Sequence, residues 1–235
     1  MRNNLLRVLR NTFGIQILNY LLMPVPMLFA IFLSEIKSTK FQKAVQTLTT
    51  LPHFISWVIM FSLATSLFGN SGVVNAVLKN FGVEGINILT TDQHVWLIQS
   101  LLALWKSLGW SAIIYFAAIT GLDQEVYEAA MVDGASRWQK IRYITIPLLI
   151  PTFFVLLIMG IGNFLNSGID QFLAFGNAMN KEYIEVLDLY VYNLGIGNGQ
   201  ISFSVAVGMM KSLVAVVLFA CANFASKKIR GTSVF

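Results

Sequence analysis

Charge is what this sequence most lacks. Asp, Glu, Lys and Arg together make up 11 % of its 235 residues, against roughly 25 % in a soluble domain. That is too little charge to cover a water-facing surface of this size, so lipid has to cover part of it. Cysteine is scarce as well. The one thiol, Cys221, lies inside an apolar stretch, which excludes an internal disulfide and leaves a small buried hydrophobe as the reading. The two histidines, His53 and His94, stand far apart, so neither a metal centre nor a hydrolytic site is expected. The apolar runs hold no carboxylates, which argues against an ion-coupled secondary transporter or channel. A phosphate-binding loop needs Gly, four residues, Gly-Lys and Ser or Thr. The nearest match, Gly208-Met209-Met210-Lys211-Ser212, is several positions short and sits in an apolar run. The chain is therefore expected to bind no cofactor and to hydrolyse no ATP itself.

The formal charge is +5, but the basic residues form no stripe of the kind that binds nucleic acid. They sit in short clusters between apolar runs, as charges facing lipid headgroups do. The N-terminus does not read as a cleavable leader, because its apolar run is too long and no small-residue cleavage site follows.

Five runs reach the length of about 20 mostly apolar residues that a membrane helix needs. They cover about 13–33, 48–68, 95–120, 144–165 and 201–225. Pro24 and Pro26 should kink the first. Lys106 and Lys211 lie near the middle of the third and fifth. A central lysine costs about 2.5–3.5 kcal/mol, and each Leu, Ile, Phe or Val returns about 0.3–0.6. Both runs hold eleven such residues and should still insert, with each lysine turned to a protein interior or a wet cavity.

Segments 34–47, 121–143 and the C-terminal tail carry nine lysines and arginines between them. Segments 69–94 and 166–200 carry one each, Lys79 and Lys181. The positive-inside rule then makes the basic side, and the C-terminus, cytoplasmic. An odd helix count leaves Arg2, Arg7 and Arg10 outside. Two explanations present themselves: a basic surface-lying segment over residues 1–12, or a missing upstream helix, which is preferred. The outer loop 69–94 reads as glycine turns around a short helix at about Val73–Asn80. No internal repeat appears, and a single domain over 1–235 is expected.

The informative stretch is Glu128-Ala129-Ala130-Met131-Val132-Asp133-Gly134, followed by Ile144-Thr145-Ile146-Pro147. Asp123 and Glu125 suit the positive end of a short helix. Ala129 and Ala130 favour helix with almost no bulk. Gly134 is placed for a left-handed cap. Pro147 fits the first turn of the next membrane helix.

Glu-Ala-Ala, three residues, Gly, nine residues, Ile, one residue, an aliphatic residue and Pro is similar to the signature loop of membrane subunits of binding-protein-dependent ABC importers. Glu128, Ala129, Ala130, Gly134, Ile144 and Pro147 keep the spacing, and Ile146 stands where Leu is usual. At about 5–8 % usage per residue type, six matches arise on the order of once in ten million windows. The stretch from Ser34 to Trp57, Tyr190-Val191-Tyr192 and Ala206-Val207-Gly208 with Lys211-Ser212 resemble the oligosaccharide and polysaccharide branch of these permeases. The resemblance covers nearly the whole chain.

It implies an all-α transmembrane, type I ABC permease (MetI-like) fold. It also implies a multi-pass protein of the bacterial plasma membrane that imports carbohydrate by alternating access. The implied partners are a pair of cytoplasmic ATP-binding subunits, a second homologous permease and an extracytoplasmic solute-binding protein. Glu128, Ala129, Ala130, Asp133, Gly134, Ile144 and Pro147 would form the ATPase-coupling loop. For the sugar itself, aromatic faces with amide and charged groups are wanted. The candidates are Trp105, Lys106, Trp110, Asn163, Asn166, Gln171 and Lys211. Belt or packing roles compete for the aromatics, and ion pairing or snorkelling for the lysines.

Overall fold

The structure is a computed structural model and describes residues 2–83, 89 and 94–230. Among these residues it is helical, without strands. The helices are α1 (Arg2–Leu22), α2 (Pro24–Ser34), α3 (Thr39–Phe54), α4 (Trp57–Phe68), α5 (Val73–Asn80) and α6 (Val95–Thr120). They continue with α7 (Gln124–Val132), α8 (Arg137–Lys140), α9 (Ile146–Gly162), α10 (Asp170–Phe175), α11 (Lys181–Ile184), α12 (Leu187–Tyr192) and α13 (Ile201–Arg230). Two π turns, Ile141–Thr145 and Asn193–Gly197, interrupt the series. Of the glycines expected to shape the first outer loop, Gly85 lies outside the described residues.

Five segments are long and apolar enough to cross a membrane: Asn4–Ser34, Trp57–Asn80, Val95–Thr120, Arg137–Gly162 and Ile201–Phe224. Three of their starts differ from the sequence expectation. The first begins nine residues before Phe13, so residues 4–12 do not lie apart as a surface segment. Arg7, Asn11 and Thr12 there bond to residues 182–187, while Asn4 and Arg10 are exposed. This segment is broken at Met23, where α1 stops and Pro24 and Pro26 open α2, because a proline ring fits a first turn and not a helix interior. The expected second run, 48–68, is split at 55–56. There α3 ends and Ser56, in extended conformation, caps α4 by accepting from the Ile59 N–H. The fourth starts at Arg137 rather than near Ile144.

The chain forms two compact units: residues 1–20, 55–103 and 161–222, and residues 21–54, 104–160 and 223–235. The first unit centres on Ile15, Ala64, Val95, Phe172, Phe175, Ile184, Val186 and Leu189. Phe61 meets Phe175 edge-on at 5.1 Å between ring centroids, a favoured aromatic geometry. Gly14 sits under the Trp96 ring, where a Cβ would clash. Polar bonds then tie α1 to the segment before α12. Asn11 donates to the carbonyls of Glu182 (2.8 Å) and Glu185 (3.1 Å). Thr12 accepts from the Leu187 N–H at 2.9 Å. Arg7 forms an ion pair with Glu185, which is only 4 % exposed. That pair gives one of the N-terminal arginines a partner.

The second unit centres on Met27, Ala30, Ile31, Ala112, Tyr115, Ile141 and Leu149. Gly109 of α6 lies against the backbone of Thr49 in α3, leaving no room for a Cβ, the close approach that small residues allow between membrane helices. Here Lys106 donates to the Pro52 and His53 carbonyls at 3.0 and 2.9 Å. These belong to the last turn of α3, whose carbonyls lack intrahelical donors and carry the negative end of the dipole. The lysine is thus a C-terminal cap.

A candidate coupling site at residues 121–147

The loop is built from three local devices. Gly121 closes α6 by donating to the carbonyls of Ala117 and Ala118, both at 3.2 Å. Asp123 then takes extended backbone angles and accepts from the Glu125 N–H at 2.9 Å, so it is the N-cap of α7 rather than a residue of its first turn. Glu125 follows inside that turn, where its charge favours the dipole.

α7 ends as the sequence suggests, and the geometry is complete. Gly134 has φ +76°. Its N–H reaches the Met131 carbonyl at 3.1 Å, and the Ala135 N–H reaches the Ala130 carbonyl at 2.9 Å. Those two bonds define a Schellman motif. A Cβ at Gly134 would meet nothing within 4 Å. The constraint is therefore backbone conformation, not space: the left-handed region costs other L-residues about 1–2 kcal/mol. Ser136 and Gln139 then form a reciprocal capping box for α8, with bonds of 2.7 and 3.3 Å.

No residue of α7 is buried. Glu125, Glu128, Ala129 and Val132 recur at helical spacing and are all exposed, Val132 at 88 %. Tyr127 and Ala130 are half-buried on the other side. A nine-residue helix is marginal on its own in water, and this one leaves an alanine–valine strip with carboxylates uncovered. Asp133 and Gly134 are exposed at its end.

Pro147 departs from the expectation. The helix does not begin at Ile144; it runs on from Arg137 through the π turn into α9. In that turn the Ile146 N–H bonds to the Ile141 carbonyl, five residues back. Proline inside a helix lacks a donor and crowds the carbonyl four residues earlier, here that of Tyr143, and the wide π turn is where that crowding falls. Ile144 sits in this turn, half-buried. Tyr127 Oη lies 2.9 Å from Thr145 Oγ1, a contact the sequence reading missed. The signal was the i, i+3 pairing of Tyr127 with Ala130 on one face.

The substrate candidates fall into separate places. In the second unit, Trp110 stacks on His53 (4.5 Å, 2° between planes) beside the Lys106 cap, while Trp105 is 45 % exposed. In the first unit, Gln171 is buried and donates to the Gln99 carbonyl and Oε1, both at 2.8 Å. Lys211 pairs with Asp188, whose other oxygen accepts from the Ser167 N–H at 2.8 Å. Gln16 reaches Ser167 Oγ and the Asn166 carbonyl at 3.3 and 3.4 Å. Asn166 in turn bonds Asn163, and Asn19 bonds Gln16. So Asn163, Asn166 and Lys211 share one polar seam with Gln16, Asn19, Ser167 and Asp188. Sequence reasoning missed the last four, although Gln16 and Asn19 stand out as an i, i+3 polar pair in an apolar run.

Comparison with known proteins agrees with this architecture. The chain is 41 % identical over 223 residues, 94 % of its length, to the polygalacturonan/rhamnogalacturonan transport system permease protein YteP of Bacillus subtilis (strain 168), covering 70 % of that protein. It is 36 % identical over 230 residues, 97 % of its length and 72 % of the relative's, to protein LplB of the same organism. Among solved structures, a bacterial ABC transporter involved in the import of the acidic polysaccharide alginate superimposes with a TM-score of 0.91 at 34 % identity. That match covers 97 % of this chain and 80 % of the other. Residues 15–231 match the family described as binding-protein-dependent transport system inner membrane component. The chain is a multi-pass, all-helical membrane protein, and it belongs to that family of transport-system inner membrane components.

Proposed function

We propose that this chain is the permease subunit of an ATP-driven importer of oligosaccharides, working by alternating access under the control of a separate ATPase. The observation that carries the reading is the uncovered face of α7. Glu125, Glu128, Ala129 and Val132 present two carboxylates around a smooth apolar strip, and the Schellman turn at Gly134 sets the angle to α8. A basic groove in a cytoplasmic ATPase suits that face: Glu128 pairs with a cation and Ala129 permits close packing. Asp133, Ile144 and Pro147 shape the far end of the loop.

In this reading segments 34–47, 121–143 and the C-terminus are cytoplasmic, since they carry the lysines and arginines. Nucleotide closes two ATPase subunits, which draw the coupling helices of this chain and of a second permease together and switch the pathway as rigid bodies. The chain supplies no nucleotide site. A solute-binding protein presents the sugar; such a protein, holding an alginate pentasaccharide, is part of a complex whose membrane chain has a TM-score of 0.91 to this one. The relatives named for polygalacturonan/rhamnogalacturonan transport and alginate import support a carbohydrate cargo. The seam of Asn163, Asn166 and Lys211 in the first unit is proposed to contact sugar; Trp105 and Trp110, in the second unit, are proposed as separate contacts. Lys106 and Gln171 are occupied by structural bonds and serve packing.

Co-purification with a co-expressed importer ATPase tests this. Wild type should retain the ATPase through affinity purification, and Gly134→Leu should lose both it and uptake. A Gly134→Leu protein with full uptake and a full complement of ATPase would refute the mechanism.

A further inference from the structure

Among the described residues, one side-chain hydrogen bond joins the two arms of the coupling loop. Thr145 is 4 % exposed and sits in the π turn. Its Oγ1 donates to the Lys140 carbonyl at 3.4 Å. Either hydroxyl can donate in the 2.9 Å contact between the two side chains. Among the described residues no other side chain of α7 bonds to the α8–α9 segment, whereas Gln124 and Asp123 bond only within their own turn. The covalent route between the arms passes through Gly134, an exposed residue with nothing near its α-carbon.

We infer that Tyr127 is a positioning residue of the coupling step: it locks α7 to the membrane helix at the π turn, so that a pull on the exposed face of α7 moves α9. This rests on the proposed function, because the pull comes from the ATPase. A glycine turn alone is a poor lever. It bends where it has no neighbours, and force applied at Glu128 and Ala129 dissipates there. Tyr127 lies on the opposite face from those residues and is anchored in a buried hydroxyl. The load therefore crosses α7 and enters the helix upstream of Pro147. The π turn, with its extra residue, is the point in that helix where backbone register yields most readily.

The test uses the whole importer, with its ATPase, second permease and solute-binding protein, in lipid nanodiscs. Cys221 is replaced by alanine, and nitroxides are placed on Gln124→Cys in α7 and Leu148→Cys in α9, both exposed positions. Distances are measured by pulsed electron resonance, without nucleotide and after trapping with ATP and vanadate. The unmodified latch should hold one distance in both states. Tyr127→Phe should give a second distance in the trapped state, displaced by about 5 Å, one helical turn, while basal ATP hydrolysis stays within about twofold of wild type, which is under 0.5 kcal/mol. Thr145→Val should reproduce this, the double variant should add nothing, and Thr145→Ser should restore the single distance. One unchanged distance in Tyr127→Phe, with the ATPase bound, overturns the inference. A wild-type complex that fails to retain the ATPase overturns the proposed function instead, and the latch with it.

Discussion

Loops 121–143 and 166–200 both join membrane helices, yet they treat their polar groups in opposite ways. The 166–200 loop turns several of them inward, although Asp170, Lys181 and Glu182 stay exposed. Glu185 is buried against Arg7, Asn180 is buried and donates to the Phe175 carbonyl at 3.0 Å, and Asn11 and Thr12 of α1 bond its backbone. The 121–143 loop turns them outward. Its caps are local, its acids are exposed, and among the described residues one hydroxyl pair is the side-chain hydrogen bond from α7 to the next helix. A loop whose polar groups are met by another helix of the same chain can be rigid without a partner. A loop that leaves a helix face bare requires one.

Substitutions should separate the two loops in a graded way. Arg7→Ala leaves the Glu185 carboxylate buried without its cation, and removing one partner of a buried pair costs about 3–5 kcal/mol. Yield and thermal unfolding in detergent should both fall sharply. Asn11→Leu strips the donor from the carbonyls of Glu182 and Glu185, the second in a buried bond, and an unpaired buried carbonyl costs about 1–3 kcal/mol. It should lower the unfolding midpoint less than Arg7→Ala, and hydrogen exchange should rise at 182–187. Gly134→Leu places a side chain on a left-handed backbone at about 1–2 kcal/mol. The isolated permease should unfold within a few degrees of wild type, although ATPase binding is lost. Ser136→Ala removes half of a capping box, about 1 kcal/mol, and the visible change should be faster amide exchange at Arg137–Gln139. If Gly134→Leu destabilised the isolated chain as much as Arg7→Ala, the contrast between the loops would be wrong.

Much of this was legible in the residues. Membrane spans announce themselves because about 20 apolar residues have few other uses. The helix before Gly134 was readable because an N-cap acid, two alanines and a terminal glycine are local signals. What escaped was long-range. Nothing local says that Arg7 meets Glu185, 178 positions away, and so the N-terminal arginines looked misplaced. Nor does local sequence tell that Lys106 caps α3, because the bare carbonyls at Pro52 and His53 appear only once Ser56 starts a new helix. Pro147 read as a helix start for a similar reason. A π turn leaves no compositional mark, and the helix continues through it. The coupling loop was therefore the easier site to find, being made of neighbours in sequence, and the polar seam around Lys211 the harder one.

The account depends on residues 121–143 facing the compartment that holds the ATPase. With Cys221 replaced by alanine, Val132→Cys gives one thiol at a site 88 % exposed. A membrane-impermeant maleimide should leave it unlabelled in intact cells and label it fully once the membrane is opened. Labelling of intact cells would put the loop on the wrong side of the bilayer and contradict the mechanism outright.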